Sequence, residues 1–400
     1  MNIRRSLALT LLATIAAGSS VGRLAGRDPR PPALGEPLEG LTPAQLGLFE
    51  AGLETFAEEE GLADGLGPIF NDVGCAACHA SPAVGGSSEI NETRAARRNG
   101  HAYVELPGGS LFQSDAIRPQ CAEAVPSDAN VVAERQSQPL FGLGLIEAVP
   151  DGQIEGYRAL QERSFPDQAG RVHGLFDVAT RRRRVGRFGW KAQQATLLSF
   201  SGDAYVNEMG ITSPLFPREN APNGDARRLR ACDTVADPED DGADLAAFAD
   251  FMRLLAPPSR EDGRAGGGGD RHGSRGPSPV VAGERIFERV GCAVCHTPRY
   301  RALSPIAAIN GRQVASFSDL LLHDVGTGDG IVQGEARGNE FRTAPLWGLS
   351  KSAPYLHDGS AASAREAIRR HRNQGAQAAD AFDDLSSAAQ EALLRFLASI

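Results

Sequence analysis

Ile69-Phe70-Asn71-Asp72-Val73-Gly74-Cys75-Ala76-Ala77-Cys78-His79 recurs as Ile286-Phe287-Glu288-Arg289-Val290-Gly291-Cys292-Ala293-Val294-Cys295-His296, changed only at its third, fourth and ninth residues. The core of each copy is C-x-x-C-H. Two thiols three positions apart on a turn of helix point the same way, so each can form a thioether with one vinyl group of a haem. The following His shares that face and becomes the proximal iron ligand. The repeat therefore predicts two covalently attached c-type haems, one on Cys75, Cys78 and His79, the other on Cys292, Cys295 and His296.

Other uses of the pattern fit less well. A zinc site could draw four thiolates from the two pairs, but zinc sites rarely separate their halves so widely and need no His after each pair. A thioredoxin-like redox pair leaves the duplication unexplained.

The chain has 400 residues, 41% hydrophobic and 23% charged, as in a globular protein large enough for two domains. A net charge of −9 speaks against nucleic acid or an anionic membrane surface as the main partner. Arg4-Arg5, an apolar run from Leu7 to Ala17 and the small residues Gly18-Ser19-Ser20 have the layout of a secretory signal, assigned to residues 1–26. The run is well short of the ~20 apolar residues that a membrane span requires. Export to the periplasm is expected, with no span left once the signal is removed. Cys121 and Cys232 remain outside the haem motifs, and in an oxidising compartment they form either a disulfide or two free thiols.

Residues 27–40 carry four prolines and read as an extended lead-in. Thr42-Pro43-Ala44-Gln45 is a capping box with Pro at the first helical position, and Leu46, Phe49, Leu53 and Phe56 follow at helical spacing, predicting a helix that ends near Gly61. Gly, Pro and polar residues from 81 to 185 predict loops with short elements, the run Arg181 to Arg184 being a solvated turn. Leu245, Phe248, Phe251, Met252 and Leu255 predict a core helix stopped by Pro257-Pro258. Residues 257–280 contain four consecutive glycines and read as a linker. A last capping box at Ser387 opens an amphipathic helix, as at the end of a cytochrome c domain. The expectation is a mainly α protein of two cytochrome c-like domains, 41–256 and 281–400, the first with a long loop-rich insertion.

Phe341-Arg342-Thr343-Ala344-Pro345-Leu346, followed by Ser352-Ala353-Pro354-Tyr355-Leu356-His357-Asp358-Gly359-Ser360, resembles a signature of bacterial di-haem cytochrome c peroxidases and of the related methylamine-utilisation enzyme. The blocks from Pro139 to Glu147, Gly189 to Ala192 and Met209 to Phe216 resemble more closely the di-haem oxidoreductase family, often labelled thiol oxidoreductases. No thiol substrate is expected from that label. Where the peroxidases carry a Met that closes the C-terminal haem, this chain has His371, which the resemblance makes the sixth ligand of the second iron. His323 and His357 are expected as hydrogen-bonding groups at the haem edge, and Met252 as packing.

Trp190 to Leu197 and Asn207-Glu208-Met209-Gly210 resemble the peroxidase stretch whose Trp lies between the haems and whose Glu sits over the peroxide-binding iron. The resemblance implies that Trp190 relays electrons and Glu208 moves protons, with Glu147 a second candidate for the acid. Core packing is the plainer account of Trp190. A rival reading gives Met209 to the first haem as its sixth ligand. The function expected is that of a peroxidase-like oxidoreductase served by a small electron-donor or acceptor protein, acting on peroxide or another small molecule; the alternative is a pure electron carrier with both haems six-coordinate. The acidic run Glu239-Asp240-Asp241 is compatible with calcium, though a cap and turn explain it without a metal.

Overall fold

Two pairs of helices cross at glycine, and each pair backs one C-x-x-C-H motif. The computed structural model describes residues 31–260, 278–297 and 300–400. The expected signal segment at 1–26, His272 and residues 261–277 of the expected linker lie outside the described residues. In the first pair, Pro43–Phe56 packs on Ala243–Leu254. A Cβ at Gly52 would lie 2.4 Å from the Ala247 carbonyl oxygen, so only glycine permits this approach. In the second pair, Pro279–Arg289 packs on Ser387–Ser399, and a Cβ at Gly283 would lie 2.0 Å from the Ala392 carbonyl oxygen.

The crossings bring aromatic rings to the two motifs in matching ways. Phe56 meets Phe251 at 4.8 Å and Phe248 at 6.2 Å, and lies 6.3 Å from the His79 ring. Phe287 meets Phe396 at 5.2 Å and Phe317 at 6.2 Å, and lies 6.5 Å from the His296 ring. Burying each such phenyl ring contributes about 1.5–3 kcal/mol. The sequence repeat is thus a repeat of the proximal surroundings as well.

Local signals hold at the first helix: Gln45 N–H donates to Thr42 Oγ1 at 3.3 Å, while Thr42 N–H donates to Gln45 Oε1 at 3.0 Å. The helix stops at Phe56 instead of near Gly61. Glu60 N–H donates to the Val73 carbonyl at 2.7 Å, which turns the chain back toward the motif.

The mainly α expectation is corrected: among the described residues there are twelve strands beside eleven α-helices, and the fold is mixed. Most of the difference lies in the stretch expected to be loop-rich. Asn91–Asn99 pairs antiparallel with Val131–Gln136, from Asn91↔Gln136 to Ala96↔Val131, and also with Ala102–Val104 and Leu111–Phe112. Its sequence, N-E-T-R-A-A-R-R-N, has one β-branched residue and no alternation, so the strand is imposed by its partners. The arginine run occupies a hairpin, Gly174–Asp177 with Arg182–Val185, where Arg181, Arg182 and Arg183 are exposed.

Cys121 and Cys232 form a disulfide with Cα atoms 5.9 Å apart. A large core runs from Leu38 to Leu321 and a smaller one from Ile286 to Ile400. The larger takes in Tyr300, Ala302, Ile309, Val314, Leu320 and Leu321, all of which follow the second motif in the chain. Among the described residues no helix is long and apolar enough to cross a membrane.

Candidate active site

Each motif opens on its own cavity. Cys75, Cys78 and His79 line one of about 920 Å³; Cys292, Cys295 and His296 line one of about 290 Å³. His79 Nδ1 lies 3.0 Å from the Gly86 carbonyl and His296 Nδ1 lies 2.9 Å from the Phe317 carbonyl. With Nδ1–H donated to the backbone, each ring keeps its Nε2 lone pair for a metal, the usual arrangement around a ligating imidazole. Burial lowers the pKa of His79, and burial together with the nearby His371 holds His296 at about 4, so both rings are in the neutral, ligating form.

Burial also pushes the Cys75 and Cys292 thiols up to about 12 and Cys78 up to about 11. Such thiols are poor thiolate nucleophiles and poor redox partners at neutral pH. Two thiols and one neutral imidazole facing a common cavity fit a covalently attached haem in both places.

The rest of the larger cavity is polar. Helix Leu197–Ala204 runs into a π-helical turn, Tyr205–Met209, a feature often found at functional positions, and this turn sets Glu208 and Met209 on the cavity wall. Asn71 Nδ2 donates to Glu208 Oε2 at 2.5 Å. Burial and the neighbouring Glu92 charge push the Glu208 carboxyl up to about 7, so at neutral pH it exists in both forms. Met209 is buried and also belongs to the larger core, as does Met252.

Glu92 and Arg94 gave no signal in the sequence. They come from strand Asn91–Asn99, whose existence the sequence did not reveal. Arg94 Nε and Nη2 donate to the two oxygens of Glu92 at 2.6 and 3.0 Å. Glu147, by contrast, lies outside both cavity walls. Its Oε1 accepts from Leu197 N–H and its Oε2 from Arg253 Nε, each at 2.7 Å, which makes it a helix clamp.

Trp190 lines both cavities. Its indole N–H donates to the Gln136 carbonyl at 2.8 Å, and its ring stands edge-on to Phe341 at 6.0 Å and to His357 at 6.3 Å. Behind it lies a buried charge cluster. Lys191 Nζ sits 4.0 Å above the Phe341 ring and 3.2 Å from Asp329 Oδ1, and Arg135 Nε donates to Asp329 Oδ2 at 2.8 Å. Lys191 follows Trp190 in the chain, but Asp329 lies 138 residues on and only the fold joins them.

His371 lines the smaller cavity with His296, and its Nδ1 lies 2.8 Å from the Ala367 carbonyl, the same backbone anchoring as in the two motif histidines. His357 stacks on Phe341 at 4.3 Å. His323 bridges Asp319 Oδ2 at 2.8 Å and Cys295 Sγ at 3.8 Å. In His173 both ring nitrogens are engaged, with the Lys191 carbonyl and the Glu335 N–H. In the acidic run, Asp240 and Asp241 cap the N-terminus of the following helix, accepting from Gly242, Asp244 and Ala243 N–H groups. Glu239 instead stands with Glu219 and Asp237, their carboxylate oxygens within 4.8 Å of one another.

A family model described as "Di-haem oxidoreductase, putative peroxidase" matches residues 113–400. A search of curated proteins returns no match. Among solved structures, hydrazine synthase of Kuenenia stuttgartiensis is similar with TM-score 0.44 and 17% identity, over 98% of this chain and 99% of that one. A MauG-like protein associated with microbial copper homeostasis is similar with TM-score 0.32 and 18% identity, over 71% and 95%. The diheme peroxidase BthA of Burkholderia thailandensis is similar with TM-score 0.32 and 14% identity, over 74% and 91%.

Proposed function

Since this chain belongs to the di-haem oxidoreductase family, we propose that it is an exported, periplasmic peroxidase-like enzyme whose two haem seats do different work. The haem bound at each seat supplies the redox-active iron. The observation that carries the proposal is the contrast between the walls: a protonatable carboxyl, Glu208, lines the larger cavity, and a second backbone-anchored imidazole, His371, lines the smaller.

In this reading His79 and His296 would each hold the iron of one haem, and His371 would offer a second imidazole at the smaller cavity, which suits that seat to passing electrons. Glu208 gives a proton to the departing oxygen as the O–O bond of peroxide breaks; overall, two electrons and two protons convert it to two waters. The electrons come from a small donor protein and pass the wall formed by Trp190. Asn71 holds the acid by its Oε2.

Resting-state EPR of the di-haem protein tests the division. One high-spin and one low-spin signal are expected, the low-spin signal altered by His371→Gly, and Glu208→Gln should slow peroxide consumption about 10²–10⁴-fold. Two low-spin signals unchanged by peroxide would assign the protein to pure electron transfer, with Met209 closing the first seat.

A further inference from the structure

The two cavities differ in the charges on their walls. Cations and carboxylates both stand on the larger one, where Arg94 is paired with Glu92 and Arg135 with Asp329. Among the described residues no Asp or Glu lines the smaller cavity, and the one Arg or Lys that does is Arg342. That side chain is 5% exposed, and burial holds its pKa down to about 10, so at neutral pH a full positive charge sits in the wall.

No carboxylate among the described residues balances it by direct contact. Arg342 Nε donates to the Gly189 carbonyl at 3.0 Å, Nη1 to the Thr343 carbonyl at 3.1 Å and Nη2 to Gln138 Oε1 at 3.1 Å, all neutral acceptors. Asp319, the acid whose field reaches Arg342, is already taken. Its Oδ2 accepts from Gln161 Nε2 at 2.7 Å and lies 2.8 Å from His323 Nε2, and its Oδ1 accepts from Leu321 N–H at 3.0 Å. A buried guanidinium without an anion destabilises the fold, whereas a carboxylate on its N–H groups makes one of the stronger polar contacts. Three of its five N–H groups are used, and Nη1 and Nη2 each keep one.

We propose that Arg342 is a carboxylate-binding residue of the second haem seat: its guanidinium takes a propionate of the haem attached at Cys292 and Cys295, the anion that this wall lacks. The two thiols use the vinyl groups, so the propionates are the carboxylates that the haem brings. Arg342 N–H donates to the Trp190 carbonyl at 2.8 Å and its Nε to the neighbouring Gly189 carbonyl, so guanidinium and indole are held on one piece of backbone. A propionate on Arg342 therefore ties the second haem to the segment that lines both cavities. This rests on a haem at the second motif and on no role given to Glu208 or His371.

The test uses the haem-loaded protein, its haems counted by the mass of the intact chain. Resonance Raman spectra contain the propionate bending bands, whose frequencies follow the hydrogen bonds made to the carboxylate. Arg342→Gln should shift the bands of one haem and leave those of the other. One of the two midpoint potentials should fall with it, because a lost positive charge favours the ferric state. Arg342→Lys, which keeps the charge but not the fork of donors, should shift the bands less and hold the potential near that of the parent. Bands at the parent frequencies in Arg342→Gln overturn the proposal even if a potential falls, since the charge would then be acting at a distance. If the Gln variant does not fold, the Lys variant decides: an ammonium does not reproduce the fork, so unshifted bands there overturn the proposal equally. A chain whose mass shows one haem overturns the di-haem reading itself, and this site with it.

Discussion

Replacing Gly52 by Ala places a methyl carbon 2.4 Å from the Ala247 carbonyl oxygen, where ordinary contact begins at 3.4 Å. The two helices must part by about 1 Å, loosening the Phe49, Phe56 and Phe251 cluster that backs His79. Because the atoms struck are backbone, overpacking here lies at the upper end of its range, about 2–3 kcal/mol, and the better helix propensity of Ala returns ~1 kcal/mol. The expected net loss is about 1–2 kcal/mol. Gly47 lies on the same helix with nothing within 4 Å of its Cβ position, so Gly47→Ala should show the propensity gain alone, a rise of ~1 kcal/mol. Urea unfolding at equal haem content reads both: the midpoint should fall for Gly52→Ala and rise for Gly47→Ala, at unchanged slope. A Gly52→Ala protein as stable as the parent would refute the claim that glycine sets the helix approach.

Three further outcomes are expected. Glu208, pushed up to about 7, acts in its protonated form, so peroxide consumption should be constant below that pH and fall about tenfold per unit above it; a level profile from about pH 5 to about pH 9 removes Glu208 as the acid. Converting Cys121 and Cys232 to Ser opens a loop of sequence separation 111 and should lower stability by up to ~4–5 kcal/mol, read by thermal or urea unfolding; an unchanged midpoint would remove the crosslink as a stabilising element. Asp329→Asn leaves Arg135 and Lys191, 1% and 0% exposed, without their carboxylate and should cost about 3–5 kcal/mol in the same assay, a loss under about 1 kcal/mol showing that the cluster rearranges.

What could be read from the chain and what could not follow from the range of the interactions. The haem motifs were legible because covalent attachment needs its thiols and imidazole within five consecutive residues. The capping box at Thr42 was legible because it closes over three residues, whereas the last helix is capped one residue before the expected Ser387, by Ser386, whose side chain accepts from Ala389 N–H. Strand Asn91–Asn99 was not, since pairing with Val131–Gln136 determines it and its own residues do not. Glu92 was lost with that strand. Glu147 looked as suitable for an acid as Glu208 because a sequence does not show Arg253 and Leu197 taking both its oxygens. The fold class was misjudged for the same reason: many strands here are two to four residues long and carry no periodicity.

The larger core draws on Tyr300, Ala302, Ile309, Val314, Leu320 and Leu321, which come late in the chain. A polypeptide emerges from its N-terminus, so the larger core stays incomplete until residue 321 has appeared, long after Cys75 and Cys78. The wall of the larger cavity also takes Val332, Gln333 and Gly334, so a fragment ending at residue 256 would carry the first motif with part of that wall missing.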